Sequence, residues 1–401
     1  MKLLFVTSLV PNGQPSTGYE IANEAIIEGL VRNGADVTVI GFTWPGKQAS
    51  IPEKTIVLGS IDVRTEGADP WQKMRWVASA VAGGYTISSA KMRIIDEQSI
   101  RVAINAHGPF DAYVLNGVSL PGAFPELFND LPSLWIAHNV EYRSSLENAQ
   151  SAHSALKRTL FKRDARILET LEKNMAQRAR FVFTLAEEDR APLGVASASR
   201  SAVLPLTTTD SPASGAQKRV FKYDAGLIGT WTWQPNRVGL EWFIQEIAPR
   251  LSKGFKVAVA GSMPAGLPAA PSCVEFLGRV PDAKDFVNSC AVIPLIARGG
   301  TGVQLKTIET FEMGLPSVAT SRSLRGINVI PSNCYVCDDP SLFAAKLVEL
   351  ADQARSGKLV DESGVAFSKS QRARMDEALI RGLQTLQSTS TTTANGQQDA
   401  A

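Results

Sequence analysis

The chain has 401 residues. A single hydrophobic core rarely serves more than roughly 250–300 residues, so two domains are expected. Apolar residues make up 44% of the chain and charged residues 20%, and 41 basic against 39 acidic side chains leave a formal net charge of +2. This balance argues against a disordered chain and against a nucleic-acid-binding protein, which need low hydrophobicity or a strong basic excess.

Short apolar runs alternate with helical stretches along the chain. Runs without apolar–polar alternation indicate strands that are buried on both faces of a parallel sheet. In the first half these runs are residues 3–10, 37–42, 112–115, 134–137 and 181–185. In the second half they are residues 226–229, 257–260, 274–277, 291–295 and 317–319. We therefore predict two α/β domains of the doubly wound type.

The boundary between the two domains is marked by composition. Residues 206–219 are rich in Thr, Ser, Pro, Gly and Ala, which is typical of a linker. This places the first domain at residues 1–205 and the second at residues 220–365. Residues 389–401 lack large apolar side chains and are expected to form a disordered tail.

The cysteines and the apolar runs predict the compartment. Four cysteines are too few for a disulfide framework in so long a chain. Cys334 and Cys337 have neither a second cysteine pair nor a histidine nearby in the sequence, which argues against a zinc site. We expect buried free thiols in a reducing, cytoplasmic environment. No apolar run approaches the ~20 residues of a membrane-spanning helix.

The most informative segment is a glycine loop between a strand and a helix. The apolar run that ends at Leu295 is followed by Gly299, Gly300 and Gly302, and a helix is predicted from about Gln304 until Gly314 ends it. The N–H groups and the dipole at such a helix start favour a bound anion such as a diphosphate. The alternative is an ordinary tight turn, because glycine loops alone are weak evidence.

Two charged residues follow this loop on one helical face. Lys306 lies in the first turn, where its ammonium adds positive charge to an anion site, and Glu309 lies one turn later. A carboxylate beside a phosphate site suits the vicinal hydroxyls of a ribose. The alternative is a surface Lys–Glu pair without a ligand.

Two other strand ends carry candidate ligand-binding residues. Gly229 and Thr230 end a predicted strand, where open α/β sheets place ligands, although Trp231 and Trp233 beside them also fit packing between domains. After the first strand, Gly18 begins a predicted helix and would permit close approach of a ligand, or it belongs to an ordinary turn. This turn is not GxGxxG, so NAD binding is disfavoured.

His138 stands at the end of the predicted strand 134–137 and is followed by several polar residues. A histidine at a strand end can bind a reacting sugar or transfer a proton near neutral pH. The alternative is a structural histidine.

Residues 156–180 form a predicted amphipathic helix with a basic outer face. Such a face binds anionic lipid at roughly 1 kcal/mol per basic residue, or it is simply solvated. The predicted membrane-facing side chains are Lys157, Arg158, Lys162, Arg163 and Arg166.

Several segments together resemble one family. GTWTWQPNRVGLEWF, VAVAGSMP, FLGRVPDAKDF and IPLIARGGTGVQLKTIETFEMGLPSVAT follow, in this order, the nucleotide-sugar domain of GT-B glycosyltransferases of family four, also called group 1. AHNVE and TLAEED in the first half resemble the acceptor domain of the same enzymes. The resemblance implies the GT-B fold, with two Rossmann-like domains facing an interdomain cleft and a C-terminal helix, residues 370–388, that returns to the first domain.

The resemblance also assigns roles to individual residues. Glu309 matches the glutamate that binds the donor ribose, and Lys306 matches the lysine at the diphosphate. Val280 matches the backbone position beside the nucleobase, His138 the histidine near the transferred sugar, and Gly18 the glycine near the diphosphate. The loop Gly300, Thr301 and Gly302 also meets the diphosphate in this comparison.

Two departures from the family pattern affect these assignments. Relatives carry a second glutamate where this chain has Thr301, and they carry an Arg and a Lys after the first strand of the donor domain. In this chain Arg237 is the candidate substitute for a phosphate contact.

The predicted activity is transfer of a sugar, with retention of configuration, from a UDP- or GDP-linked donor to a glycan or lipid-linked acceptor. His138 and Lys306 are the predicted catalytic residues, and no metal or further cofactor is expected. The acceptor suggests cell-surface polysaccharide synthesis, with the protein at the inner face of the cytoplasmic membrane. The alternatives are a nucleotide-sugar epimerase of the same fold and a non-catalytic nucleotide-sugar-binding scaffold.

Overall fold

The protein is described here by a computed structural model that covers residues 1–15, 17–65, 67–152, 154–209, 212–214, 219–359 and 361–387. The predicted tail 389–401 and Ser388 at the end of the predicted last helix lie outside these residues. The chain divides into two compact units. The first comprises residues 1–206 with the described residues from Ala373 onward, and the second comprises residues 207–372.

The first unit is built on a sheet of seven parallel strands in the order β3-β2-β1-β4-β5-β6-β7. Strands β2 and β3 lie on one side of β1 in the strand order, and β4 lies on its other side. The strand order therefore reverses between β1 and β4, and the carboxyl ends of these two strands flank a crevice. The strands are β1 (Lys2–Leu9), β2 (Asp36–Thr43), β3 (Thr55–Ser60), β4 (Ala112–Asn116), β5 (Ser133–Ala137), β6 (Phe181–Thr184) and β7 (Ser201–Val203).

Among the described residues up to 206, seven α-helices lie between these strands. The first begins where predicted, because the side chain of Thr17 accepts a hydrogen bond from the N–H of Glu20 and caps the helix. The helices are α1 (Gly18–Arg32), α2 (Pro70–Gly83), α3 (Ile87–Met92), α4 (Glu97–His107), α5 (Ser119–Ala123), α6 (Glu141–Ser151) and α7 (Ala155–Arg178).

The second unit contains six parallel strands in the order β10-β9-β8-β11-β12-β13. Its strands are β8 (Tyr223–Thr230), β9 (Val257–Ser262), β10 (Val274–Gly278), β11 (Cys290–Leu295), β12 (Ser317–Ala319) and β13 (Cys334–Val336). Its helices are α8 (Gln234–Trp242), α9 (Ala283–Asn288), α10 (Leu305–Glu312), α11 (Pro340–Arg355) and α12 (Gly364–Gln387), the last of which ends in the first unit. Both doubly wound sheets confirm the predicted fold class.

Within the first unit, the end of α12 packs against α1. Arg32 and Asp376 form an ion pair of 2.6 Å across this contact. A Cβ at Gly29 would lie 2.7 Å from the Leu379 side chain, so a larger residue there would require that side chain to move. The four cysteines of the chain are free thiols, as predicted, and three of them are buried.

One basic side chain of α7 does not face outward as predicted. The guanidinium of Arg163 donates hydrogen bonds to the carbonyl oxygens of Tyr85 (2.9 Å) and Ala80 (2.6 Å) and pairs with Asp164 at 3.0 Å. It therefore caps the end of α2, where helix carbonyls lack intrahelical partners. The other four predicted residues are exposed: Lys157, Arg158, Lys162 and Arg166.

A buried ion pair fixes the start of the second unit. The side chains of Arg219 and Asp361 are 5% and 8% exposed, and they are joined by two hydrogen bonds of 2.5 and 2.7 Å. Arg219 also donates to the carbonyl of Cys290 at the start of β11. The segment before β8 and the segment before α12 are thereby held against the same strand.

Removing one partner of this pair should destabilise the second unit. Asp361→Asn leaves the buried guanidinium without its counter-charge, so we expect the free energy of unfolding in urea to fall by about 3–5 kcal/mol. The control is Glu349→Gln, which removes the partner of Lys346 from an exposed pair. Equal unfolding midpoints for Asp361→Asn and the control would contradict the stabilising role of the pair.

Candidate active site

The loop between β11 and α10 is held by arginines and requires glycine. Gly300 has φ +89°, and a Cβ there would lie 3.2 Å from Pro235. The carbonyl of Gly300 accepts a hydrogen bond from Arg322 Nε (3.1 Å), and that of Thr301 accepts one from Arg325 Nε (2.8 Å). The loop therefore has a fixed course into the first turn of α10.

Lys306 extends from this first turn toward the end of β8. Its Nζ lies 5.1 Å from the centroid of the Trp231 ring and 3.4 Å from Asn236 Oδ1. It also lies 3.3 Å from where a Cβ of Gly229 would stand, so glycine leaves room for the ammonium. The ammonium and the helix start together form a positively charged site between two strand ends.

Trp231 positions the ammonium by belonging to the core of the second unit. Its indole is buried, and its Nε1 donates a 2.8 Å hydrogen bond to the carbonyl of Ala260 in β9. The ring is therefore a fixed platform for Lys306, and its packing lies within its own unit. Trp233, in contrast, is exposed.

Burial lowers the pKa of Lys306 to about 8, and the charge of Glu309 opposes this change. The polar and aromatic groups that contact the ammonium, Asn236 and Trp231, are neutral. A bound dianion would supply the missing counter-charge and raise the pKa again. The site is thus prepared for an anion.

Beside Lys306, a cavity of about 360 Å³ opens between α9 and α10. Its floor is apolar, with Leu227 and Ile228 of β8 and Ile293 of β11, and Lys284 and Glu309 line it from the two helices. A volume of this size accommodates a small ligand. An apolar floor with charged groups at one end suits a ligand that has an apolar and a polar part.

Glu309 lies one turn beyond Lys306, as the sequence predicted. Its side chain is exposed to solvent, while the surrounding protein raises its pKa and the charges of Lys284 and Lys306 oppose this change. An accessible carboxylate between two cations is able to accept hydrogen bonds from a ligand's hydroxyl groups.

The next glutamate of α10 has a structural role. Glu312 is buried, and its carboxylate accepts hydrogen bonds from the N–H and the hydroxyl of Thr208. Burial raises the pKa of Glu312 to about 7. These contacts hold the segment that enters the second unit against α10.

Three other predicted donor residues do not line the cavity between α9 and α10. Arg237 pairs with Glu241 at 2.7 Å. Val280 is half-buried in the connection between β10 and α9, outside the cavity lining. Thr230 accepts a hydrogen bond from the Asn236 side chain at its carbonyl (3.1 Å). Glu241 on α8 therefore engages the guanidinium of Arg237 in this structure, and the phosphate contact of Arg237 stays a prediction.

His138 of the first unit belongs to a hydrogen-bond network at the ends of β1, β4 and β5. Its Nε2 lies 2.7 Å from Asn116 Oδ1, and its ring centroid lies 5.0 Å from that of Tyr19. The amide nitrogen of Asn116 donates to Asn23 Oδ1 (2.6 Å), so the amide oxygen faces His138 and the proton lies on Nε2. Burial lowers the pKa of His138 to about 4, which makes the imidazole neutral at pH 7.

Gly18 is the first residue of α1 and is exposed, so backbone at this helix start is accessible. Its neighbour Tyr19 contacts Thr7 Oγ1 of β1 through its hydroxyl (2.9 Å). The contacts of Tyr19 and Asn116 were not predicted, because their partners lie far along the chain. Only the topology of the sheet brings them together.

A buried glutamate that binds the segment after His138 was also not predicted. The carboxylate of Glu172 in α7 accepts hydrogen bonds from the N–H groups of Glu141 (2.7 Å) and Tyr142 (3.0 Å) at the start of α6. Burial raises the pKa of Glu172 to about 8 and that of Glu141 to about 7. Glu172 lies within the basic helix, where the sequence pattern gives no signal for such a contact.

The described part of the chain contains neither a metal-binding cluster nor a membrane-spanning helix. Among those residues, there is no group of three or more His, Cys, Asp or Glu side chains arranged to hold a metal ion. No described helix is long and apolar enough to cross a membrane.

Replacing Lys306 should stabilise the protein at neutral pH. Because burial lowers the pKa of Lys306 from 10.5 to about 8, the unfolded chain binds more protons between these pH values, and stability rises with pH there. Lys306→Met removes the buried charge, so we expect the free energy of unfolding at pH 7 to increase by roughly 1–2 kcal/mol.

The difference between Lys306→Met and wild type should narrow as the pH rises from 8 toward 10.5, as measured by urea unfolding. Lys253→Met changes an exposed lysine of the same unit and serves as the control. A Lys306→Met protein that is less stable than wild type at pH 7 would contradict the prediction that burial of the Lys306 charge destabilises the protein.

Comparison with known proteins gives a family match in the second unit. Residues 222–353 match the family model described as "Glycosyl transferases group 1". This match contains the glycine loop, Lys306 and Glu309. No curated protein sequence matches the chain.

Solved structures match both units. Sucrose-phosphate synthase (tll1590) from Thermosynechococcus elongatus is 14% identical over 98% of this chain and 99% of its own, with a TM-score of 0.61. Anabaena Alr3699/HepE in complex with UDP-glucose is 12% identical over 98% and 100%, with a TM-score of 0.57. WaaG, a glycosyltransferase involved in lipopolysaccharide biosynthesis, is 13% identical over 96% and 98%, with a TM-score of 0.55.

At these identities the structural likeness concerns the fold, and the family match concerns the second unit. Both agree with the resemblance found in the sequence. The chain therefore has the GT-B fold of two Rossmann-like domains, and residues 222–353 of its second unit match the group 1 glycosyltransferase family model.

Proposed function

We propose that the protein is a retaining glycosyltransferase that moves a sugar from a nucleotide diphosphate sugar to a hydroxyl group of a glycan or lipid-linked acceptor. One observation carries the proposal. The ammonium of Lys306 stands at the start of α10 beside the end of β8, and Glu309 lies one turn away next to a cavity. This spacing suits a diphosphate joined to a ribose.

The donor would be held mainly by the second unit. The diphosphate meets Lys306 and the loop of Gly300, Thr301 and Gly302, and the ribose hydroxyls donate hydrogen bonds to Glu309. The nucleobase lies beside the backbone of Val280. The Anabaena protein was solved in complex with UDP-glucose, which supports a UDP-linked donor here.

The chemical step breaks the bond between the anomeric carbon and the diphosphate oxygen, and the leaving oxygen takes the electron pair. The acceptor oxygen bonds to the same face of that carbon, and its proton passes to the leaving phosphate. Lys306 and the dipole of α10 stabilise the charge that develops on the diphosphate, so no metal ion is required. Binding energy is then concentrated on the leaving group.

His138 would contact the transferred sugar. Its Nε2–H is held by Asn116, so the neutral ring presents the Nδ1 lone pair as an acceptor for a sugar hydroxyl. Because the pKa of His138 is lowered to about 4, this role requires no change of protonation near pH 7. His138 is therefore proposed as a binding and orienting group.

In this proposal the protein acts at the inner face of the cytoplasmic membrane, and its acceptor is one used in cell-surface polysaccharide synthesis. The exposed basic residues of α7 suit the anionic headgroups of such a surface: Lys157, Arg158, Lys162 and Arg166. The involvement of WaaG in lipopolysaccharide biosynthesis supports an acceptor of this kind.

A donor screen tests the proposal. Purified protein is incubated with UDP-, GDP- and ADP-sugars and crude lipid acceptors, and release of nucleoside diphosphate is measured. For the preferred donor, Glu309→Gln should lower kcat/KM about 10–100-fold, because an amide replaces the charged acceptor of the ribose hydroxyls. Glu349→Gln on α11 is the matched control and should leave kcat/KM unchanged.

Two outcomes would contradict this proposal. If no donor is turned over while a nucleotide sugar raises the melting temperature, the protein is a non-catalytic binding scaffold. That alternative is motivated by Thr301 and by the missing Arg and Lys after the first strand of the second unit, which both depart from the family pattern. If turnover proceeds equally in wild type and Glu309→Gln, Glu309 does not hold the ribose.

A further inference from the structure

Helix α2 carries an apolar stripe on its solvent side. The side chains of Trp71, Met74 and Val81 are 71%, 59% and 54% exposed, and Ala78 between them is exposed as well. Their spacing of three, four and three residues places them on one helical face. A surface helix of a globular protein ordinarily turns such a stripe inward.

The orientation of α2 is fixed by its opposite face. Lys73, Trp76 and Val77 are half-buried and Ala80 is buried, so this second stripe packs against the first unit. The Trp76 ring lies 4.5 Å from the ammonium of Lys91. The helix therefore cannot turn its outer stripe inward without leaving these contacts.

The end of α2 adjoins the basic face of α7. Arg163 joins the two by donating to the carbonyl oxygens of Ala80 and Tyr85. Lys162 and Arg166 flank Arg163 in the sequence and are exposed. Asp164 points inward, since its carboxylate accepts a hydrogen bond from the N–H of Ile87 (3.0 Å).

Helix α2 has no acidic residue, and its charged residues are Lys73 and Arg75. An apolar stripe with tryptophan, flanked by basic side chains, is typical of helices that lie in the interface of a membrane. Reversible membrane binding is marginal with one weak signal, and an apolar insertion combined with a basic patch supplies two.

We infer that α2 inserts Trp71, Met74 and Val81 into the headgroup region of a membrane that contains anionic lipid, while the exposed basic residues of α7 contact the headgroups. This inference deepens the membrane contact under the proposed function. Its test needs neither donor nor acceptor, so its failure would leave glycosyl transfer unaffected. An apolar surface of a partner protein would not supply negative charge to the basic residues beside α2, whereas anionic lipid would.

Vesicle binding of the full chain tests the inference. Phosphatidylcholine vesicles with and without phosphatidylglycerol are sedimented with wild type and with Trp71→Ser/Met74→Ser. We expect the double variant to lower partitioning onto anionic vesicles at least about tenfold. Val102→Ser, which changes a 59% exposed side chain of α4, is the control and should bind as wild type does.

Two further measurements separate insertion from simple charge attraction. Brominated phosphatidylcholine, mixed with phosphatidylglycerol, should quench the fluorescence of wild type more than that of Trp71→Phe, which preserves an apolar ring. Lys162→Gln/Arg166→Gln should weaken binding to anionic vesicles and leave the weak binding to pure phosphatidylcholine unchanged. Circular dichroism verifies that each variant is folded.

Unchanged vesicle binding of folded Trp71→Ser/Met74→Ser, or equal quenching of wild type and Trp71→Phe, would overturn insertion of α2. Binding that depends only on Lys162 and Arg166 would reduce the contact to electrostatics and would also overturn it. If the double variant instead dissociates an oligomer in sedimentation velocity, the stripe is a protein interface, and the inference is again wrong.

Discussion

The candidate site depends on a desolvated ammonium group. Lys306 is placed against the Trp231 ring and the Asn236 side chain, both neutral, and Trp231 is itself anchored to β9. Burial without a bound counter-charge lowers the pKa of Lys306 to about 8. Without a ligand, the desolvated charge lowers the stability of the protein, and an anion bound at the start of α10 offsets this effect. The glycines at positions 229 and 300 provide the space and the backbone course that this arrangement needs.

The central strands could be predicted from the sequence, and three of the sheet edges could not. Strands such as β1 and β11 are buried on both faces and read as continuous apolar runs. The missed strands β3, β7 and β13 each lie at an edge of a sheet, where some of their residues are half-buried or exposed. The position of Lys306 and Glu309 on one face of a helix could be predicted, because it depends only on local helical spacing.

Contacts between distant segments escaped prediction. Arg237 and Asn236 are adjacent in the sequence, yet only Asn236 reaches Lys306. Arg163 carries the same charge as its neighbours on α7 and is turned inward by two carbonyl oxygens on another segment. In α2, apolar residues occur on two faces, so helical periodicity alone does not indicate which face packs inward. Tertiary structure decides each of these cases.

The central claim is that Lys306 takes up a proton when a diphosphate binds. Calorimetric titration of UDP at pH 8, in two buffers of different ionisation enthalpy, measures this directly. With the pKa of Lys306 at about 8 in the free protein, UDP should draw about half a proton from the buffer, and Lys306→Arg should show none of this uptake. Equal proton uptake by wild type and Lys306→Arg would contradict the account.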